Sequence, residues 1–116
     1  MKKVVLFAFM GEPMCFAHVL LNAFDMRDKG YDARIVIEGS ATKLIKDLHD
    51  DPSLPFAKLY EKAVASELID AVCEACSAKM GSKESALAQG LCLSGEMNGH
   101  PSMARYIDSG YEVITF

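Results

Sequence analysis

The sequence predicts an α/β fold in which helices cover both faces of a mostly parallel sheet of about five strands. Three observations predict it. The first is residues 3–10 (KVVLFAFM), a continuous apolar run bounded by Gly11, as expected of a strand buried on both faces. The second is alternation: strand-like segments at 31–38, 68–73 and 111–116 are separated by stretches with helical apolar spacing. The third is size. With 116 residues, 51% of them apolar and 24% charged, the chain suits one compact domain spanning residues 1–116 and has no room for a second. Together these describe a three-layer, flavodoxin-like sandwich.

Each element follows from local chemistry. After the Gly11-Glu12-Pro13 loop, Phe16, Leu20 and Phe24 recur every four residues with Val19 and Ala23 beside them. That predicts a helix to about Lys29, with Gly30 as its left-handed stop. Its wide apolar surface predicts burial on more than one side. Residues 31–38 (YDARIVIE) are rich in β-branched side chains and read as strand two. Ser40 is then a suitable N-cap for a helix running to about His49. Asp50-Asp51-Pro52-Ser53-Leu54-Pro55 is the clearest break, but it is far too short to link domains.

Helical spacing resumes from Phe56 to about Ser66, and residues 68–73 (LIDAVC) read as strand three. Ser82 opens a short helix ending at Gly90, and 91–93 is a weak strand. The loop from Met97 to Pro101 leads to Ser102, which caps a helix through Asp108. Gly110 closes that helix before the terminal strand 111–116. There is no internal repeat and no low-complexity segment.

Composition excludes several classes of function. The 16 acidic and 12 basic residues give a net charge of -4 with no basic block, which disfavours direct nucleic-acid binding. The longest apolar runs fall far below the roughly 20 residues of a membrane-spanning helix, so no membrane association is expected. Glu12 and Pro13 follow the first apolar run where a signal peptide would carry a small-residue cleavage site. The four cysteines, Cys15, Cys73, Cys76 and Cys92, belong to a chain that can build its core without disulfides, so free thiols in a reducing cytoplasm are expected. There is no GxGxxG, Walker or Gly-x-Ser-x-Gly sequence.

In parallel α/β sheets, ligands gather at the carboxyl ends of the strands. The loops from Gly11 to Cys15, Gly39 to Thr42, Cys73 to Ala78 and Ser94 to His100 are therefore predicted to share one edge. The most informative feature there is Cys73-Glu-Ala-Cys76-Ser-Ala-Lys79-Met-Gly81, a Cys-x-x-Cys pair where a strand becomes a helix. Unpaired N–H groups at the helix start, with help from Lys79, would stabilise a Cys73 thiolate near neutral pH. The plainer reading is a small buried hydrophobe, and a redox dithiol is a third. Against a thioredoxin, the pair follows the third strand and encloses Glu74 and Ala75.

Cys15 and His18, three apart at the start of the first helix, would join Cys73, Cys76 and His100 as soft ligands on that edge. Four such donors suit zinc, with Cys15, Cys73, Cys76 and His100 as candidates, although one Cys-x-x-Cys is a weak signature. His18 has packing against the sheet as an alternative. His49 sits at a polar helix end and receives no role. The turn from Met97 to Met103, containing Asn98, Gly99 and His100, is either an anion-binding turn or a structural one.

The N-terminal strand, the apolar first helix, and a cysteine ending a central strand before a small-residue helix that closes in Lys-Met-Gly resemble the DsrE/DsrF-like family. The resemblance covers residues 4–116. Its sharpest element is Cys73-Glu-Ala-Cys76-Ser-Ala-Lys-Met-Gly81, in which Cys73 matches the cysteine that carries sulfur in sulfur-relay members. The family's frequent arginines after that cysteine are represented here by Lys79 and Met80, and Cys76 is found in only some members. The resemblance implies α/β subunits assembled as homo-oligomers, trimers or hexamers, that exchange persulfide sulfur with donor and acceptor proteins and need no cofactor.

Two functions are therefore expected. One is a cytoplasmic sulfur carrier or sulfurtransferase-like subunit with a persulfide on Cys73. Cys76 or Cys15 would resolve it, His100 or Lys79 would stabilise the anion, and Asn98 and Gly99 would shape the pocket. The other is a non-catalytic homo-oligomeric module holding a metal ion or small ligand through Cys15, Cys73, Cys76 and His100.

Overall fold

The computed structural model describes residues 1–116. In chain order the elements are β1 (Lys3–Ala8), α1 (Pro13–Asp28), β2 (Asp32–Ile37), a 3₁₀ turn (Gly39–Thr42), α2 (Lys43–Asp50) and α3 (Ala57–Ala65). There follow β3 (Ile69–Cys73), α4 (Glu74–Lys79), α5 (Lys83–Ala88), β4 (Leu93–Ser94), α6 (Met103–Asp108) and β5 (Glu112–Thr115). The five strands form one sheet in the order β4-β3-β2-β1-β5, and every pairing is parallel. An all-parallel sheet with helices on both faces is the expected three-layer, flavodoxin-like arrangement.

Helix α1 shows how local sequence sets an element's bounds. Pro13 occupies its first turn, where no N–H is needed, and the Glu12 carboxylate accepts the Cys15 N–H at 2.8 Å. At the other end Gly30, with φ +88°, lets its own N–H reach Arg27 O and the Tyr31 N–H reach Met26 O. That pair of bonds is the Schellman closure. The helix buries Phe16, Ala17, Val19, Leu20 and Ala23 against the sheet, while Met14 and Leu21 stay more than half exposed. Within the chain its burial is thus one-sided, not on more than one side as its wide apolar surface suggested. Truncating fully buried Leu20 to Ala costs about 2–5 kcal/mol.

Both faces of the sheet are covered, but unequally. The chain steps in one direction from β1 through β4, then returns past β1 to lay β5 on its far side. Right-handed crossovers running in opposite directions cover opposite faces. Accordingly α1, α2, α3 and α5 share a core of 21 buried residues with Leu6, Ile35 and Ile37. Only α6 covers the other face, where Val5, Phe7, Val36, Ala71, Tyr106 and Tyr111 form a cluster of six.

Strand boundaries shift by a residue or two from expectation, most at two of them. Strand β1 stops at Ala8 instead of Met10, and β4 is Leu93–Ser94 instead of 91–93. Ser40 does not cap a helix, because it lies inside the 3₁₀ turn with its hydroxyl turned to the neighbouring loop. There Oγ accepts the Gly11 N–H at 2.8 Å and donates to Phe9 O at 3.3 Å. Ser102 does cap α6, accepting the Arg105 N–H at 3.4 Å.

Topology fixes where a crevice opens. The neighbouring strands β3 and β4 send their chains to opposite faces, β3 into α4 and α5 and β4 into α6. Their carboxyl ends therefore diverge around a switch point, the place where open α/β sheets bind ligands.

Candidate functional site

Cys73 ends β3, is fully buried, and caps the helix that follows: its Sγ accepts the Cys76 N–H at 3.3 Å. One turn of helix brings Cys76 back beside it, half-buried. The turn after β4 supplies His100, and that turn is tied down on every side. Gly99 N–H bonds to Gly95 O at 3.0 Å, and Met97 and His100 exchange backbone bonds at 2.9 and 3.0 Å. Glu96 accepts from Ser102 N–H at 3.2 Å and pairs with Arg105 at 2.8 Å.

Gly99 is where this turn docks on α4. Its carbonyl accepts the Ala75 N–H at 2.9 Å, its φ is +91°, and a Cβ there would lie 3.0 Å from the Ala75 Cβ. Only glycine combines that conformation with that approach.

The docking brings four side chains together. His100 Nδ1 lies 3.1 Å from Cys73 Sγ, 3.6 Å from Cys76 Sγ and 3.9 Å from Glu38 Oε1. One donor atom from each of Glu38, Cys73, Cys76 and His100 lies within 4.8 Å of every other. Glu38 follows the last residue of β2 and is only 6% exposed, whereas the His100 side chain is 40% exposed. An open cavity of about 540 Å³ with Phe9, Met97, Pro101 and Met103 in its walls reaches Cys76, His100 and Glu38.

Burial dominates the electrostatics. Desolvation raises the Glu38 carboxyl above its usual range, offset only in part by the His100 ring and then the Cys73 thiol. Cys73 is pushed up to about 12, first by burial, then by the Cys76 thiol and the Glu38 charge, against a smaller opposing pull from the Cys76 N–H. Burial thus works against the helix-start argument for a free thiolate near neutral pH. Helix α4 has six residues and places one amide on the sulfur, while Lys79 is exposed at the far end of that helix. In this site the Cys73 sulfur lies 3.1 Å from the His100 Nδ1 ring nitrogen, and its thiol donates to Gly99 O at 3.7 Å.

The sequence model of the DsrE/DsrF-like family matches residues 3–116, essentially the whole chain. The chain belongs to this family. An uncharacterised protein of Methanocaldococcus jannaschii is 35% identical over 97 residues, covering 84% of this chain and 76% of that protein. An uncharacterised protein of Archaeoglobus fulgidus is 39% identical over 41 residues, 35% of this chain and 67% of that one. A solved structure of a conserved protein of unknown function from Bacteroides thetaiotaomicron superposes with a TM-score of 0.71. It covers 99% of this chain and 95% of that one at 13% identity, a likeness of fold.

In this DsrE-like chain the sequence candidates divide into two groups. Cys73, Cys76 and His100 converge, and Gly99 supports them through its backbone. Cys15 and His18 are exposed on α1 and lie outside the four-donor group, and Asn98 is exposed with φ +50°. The fourth donor is Glu38, which sequence reasoning did not single out. Its signal was an acid immediately after a central apolar strand, at the edge where ligands gather. No helix of the chain is long and apolar enough to cross a membrane.

Proposed function

We propose that this DsrE-like protein is a sulfur carrier or sulfurtransferase-like subunit that loads sulfane sulfur on Cys73. The observation that supports this reading most directly is the 3.1 Å approach of His100 Nδ1 to a buried cysteine whose helical neighbour is a second thiol. Because burial keeps Cys73 protonated, ionisation is coupled to transfer of its proton to His100. The Cys73 thiolate then attacks the outer sulfur of a donor persulfide, R–S–SH. A new S–S bond forms, the donor's S–S bond breaks, and R–S⁻ leaves with Cys73 carrying –S–SH.

Two discharge routes follow. An acceptor thiolate attacks the outer sulfur and returns Cys73 as thiolate. Alternatively, the Cys76 thiolate attacks Cys73 Sγ, expels HS⁻ and leaves a Cys73–Cys76 disulfide that a dithiol reductant must reopen. Within this reading Cys76 and His100 act directly, Gly99 positions the turn, and Cys15, His18, Lys79 and Asn98 have supporting roles at most. The reaction implies donor and acceptor proteins, a reducing compartment such as the cytoplasm, and a homo-oligomer, a trimer or hexamer, that would cover exposed Met14 and Leu21. A second reading, a module that holds a metal ion, is favoured by the four convergent donors.

Intact mass and peptide mapping after exposing reduced protein to polysulfide test the carrier. An adduct of one or more sulfur atoms confined to Cys73 is expected, and it disappears in Cys73→Ser. Loading that persists in that variant, or spreads evenly over all four cysteines, overturns the assignment.

A further inference from the structure

We propose that Glu38 Oε1, Cys73 Sγ, Cys76 Sγ and His100 Nδ1 form a four-coordinate Zn(II) site, and that zinc and sulfane sulfur compete for Cys73. The competition rests on the carrier reading; the metal site stands on its own geometry.

Zinc bond lengths of about 2.0–2.3 Å to N, O and S place neighbouring tetrahedral ligands about 3.3–3.8 Å apart. The three distances converging on His100 Nδ1 are 3.1, 3.6 and 3.9 Å, and no donor pair in the set exceeds 4.8 Å. Shifts of a few tenths of an ångström around His100, with the widest edge closing by up to about 1 Å, seat the ion.

The ligands come from three separate places in the fold: the end of β2, the β3–α4 junction and the turn after β4. Each is held by its own backbone, so the set is assembled before any ion arrives. The donor chemistry selects the metal: two thiols, an imidazole and one carboxylate suit zinc, whereas magnesium and calcium demand mostly oxygen.

Charge points the same way. The Glu38 carboxylate is buried, with only the Cys73 thiol and, at 3.9 Å, the His100 ring as polar partners. Binding replaces the two thiol protons, which pass to solvent, so Zn²⁺ meets three negative ligands and the cluster carries 2 − 3 = −1. The open cavity over Cys76 and His100 gives the ion its path in. Once Cys73 Sγ is bound to zinc its negative charge is shared with the metal and its approach is blocked by the other ligands, so its attack on a persulfide is suppressed.

The full-length reduced chain is loaded with zinc chloride, exchanged against a weak chelator and measured for metal content. Retention of one Zn(II) per chain is expected. Substitution with Co(II) is expected to give thiolate-to-cobalt charge-transfer absorption and the intense visible bands of tetrahedral cobalt. Glu38→Gln and His100→Ala should each weaken binding by about tenfold or more, while Cys15→Ser and Cys92→Ser leave it unchanged. Cys76→Ser, at a half-buried position, provides a variant whose melting curve confirms folding and whose cobalt charge-transfer band drops.

No retained zinc in folded wild type overturns the site. Binding that is indifferent to both Glu38→Gln and His100→Ala overturns it too, since the thiols alone would then account for the metal. Sulfur loading is read in parallel by mass. Zinc-loaded protein should refuse the Cys73 adduct and chelator should restore it. Loading without zinc binding sinks only the metal inference, whereas zinc binding without loading of the metal-free chain sinks the carrier reading and leaves the site standing.

Discussion

The same two strands carry ionisable clusters at both ends, and the two are built on opposite terms. At the amino end of β2, Asp32 accepts the Tyr111 hydroxyl at 2.6 Å and Arg34 Nε at 3.2 Å, and Arg34 Nη1 reaches Asp70 of β3 at 3.0 Å. Tyr106 donates to the other Asp70 oxygen. The Tyr111 hydroxyl first, and Arg34 with it, hold the Asp32 carboxyl below its ordinary range. At the carboxyl end, Glu38 and Cys73 are both pushed the other way, because burial outweighs the partners supplied. The first cluster matches charge with charge and fastens the sheet. The second leaves burial unbalanced, the feature on which the proposed sulfur and metal chemistry rests.

The sharpest way to break that contrast is to exchange one atom in each cluster. Cys73→Ser should abolish sulfur loading while shifting the melting temperature little, because a hydroxyl fits where the thiol stood. Asp32→Asn should do the reverse: full loading with stability lowered by about 1–2 kcal/mol, a charged hydrogen bond discounted for the exposure of Asp32. Loss of loading in Asp32→Asn would mean that the two ends are coupled through β2. The pH dependence gives a second handle. A depressed carboxyl contributes stability above its ordinary value of 3.8 and loses it as pH falls through the folded value, so the cost of Asp32→Asn should vanish in strong acid.

Gly99→Ala probes how the carboxyl-end cluster is held. The φ of +91° and the 3.0 Å approach to Ala75 predict a loss of about 1 kcal/mol or more. They also predict that the turn lifts His100 from Cys73 and slows loading. Normal loading kinetics with normal stability in this variant would contradict the docking role of Gly99.

What the sequence made legible is what is written locally. The buried run of β1, the Schellman stop at Gly30, the cap at Ser102 and the Cys-x-x-Cys at a strand end each depend on a few neighbouring residues. The unequal layers were not legible, because they follow from β5 returning to the far side of β1, a pairing of residues more than a hundred positions apart. Ser40 has the chemistry of an N-cap, but Gly11 from another loop claims its hydroxyl. Glu38 reads as an ordinary surface acid until the turn bearing His100, some sixty residues later, closes against it. Cys73 is the instructive case: its place was local information, whereas its protonation state depended on how deeply the assembled edge buries it.

The smallest expected effect is also the one whose sign separates the two clusters. In protein kept free of metal by chelator, Glu38→Gln should stabilise the fold at neutral pH by about 1 kcal/mol, since it removes an imperfectly paired buried charge. Desolvation places the folded value of Glu38 above its ordinary 4.5, so the native state holds its proton more tightly than the unfolded chain does. Stability of the wild type therefore falls as pH rises through that window, and the advantage of Gln appears there and disappears below about pH 4.5. Asp32→Asn and Glu38→Gln, both carboxylate-to-amide changes flanking β2, should thus move the melting temperature in opposite directions at pH 7 and converge on wild type in acid. A destabilised Glu38→Gln at neutral pH would mean that the carboxylate is already well paired, and the carboxyl end would then be held together on the same terms as the amino end.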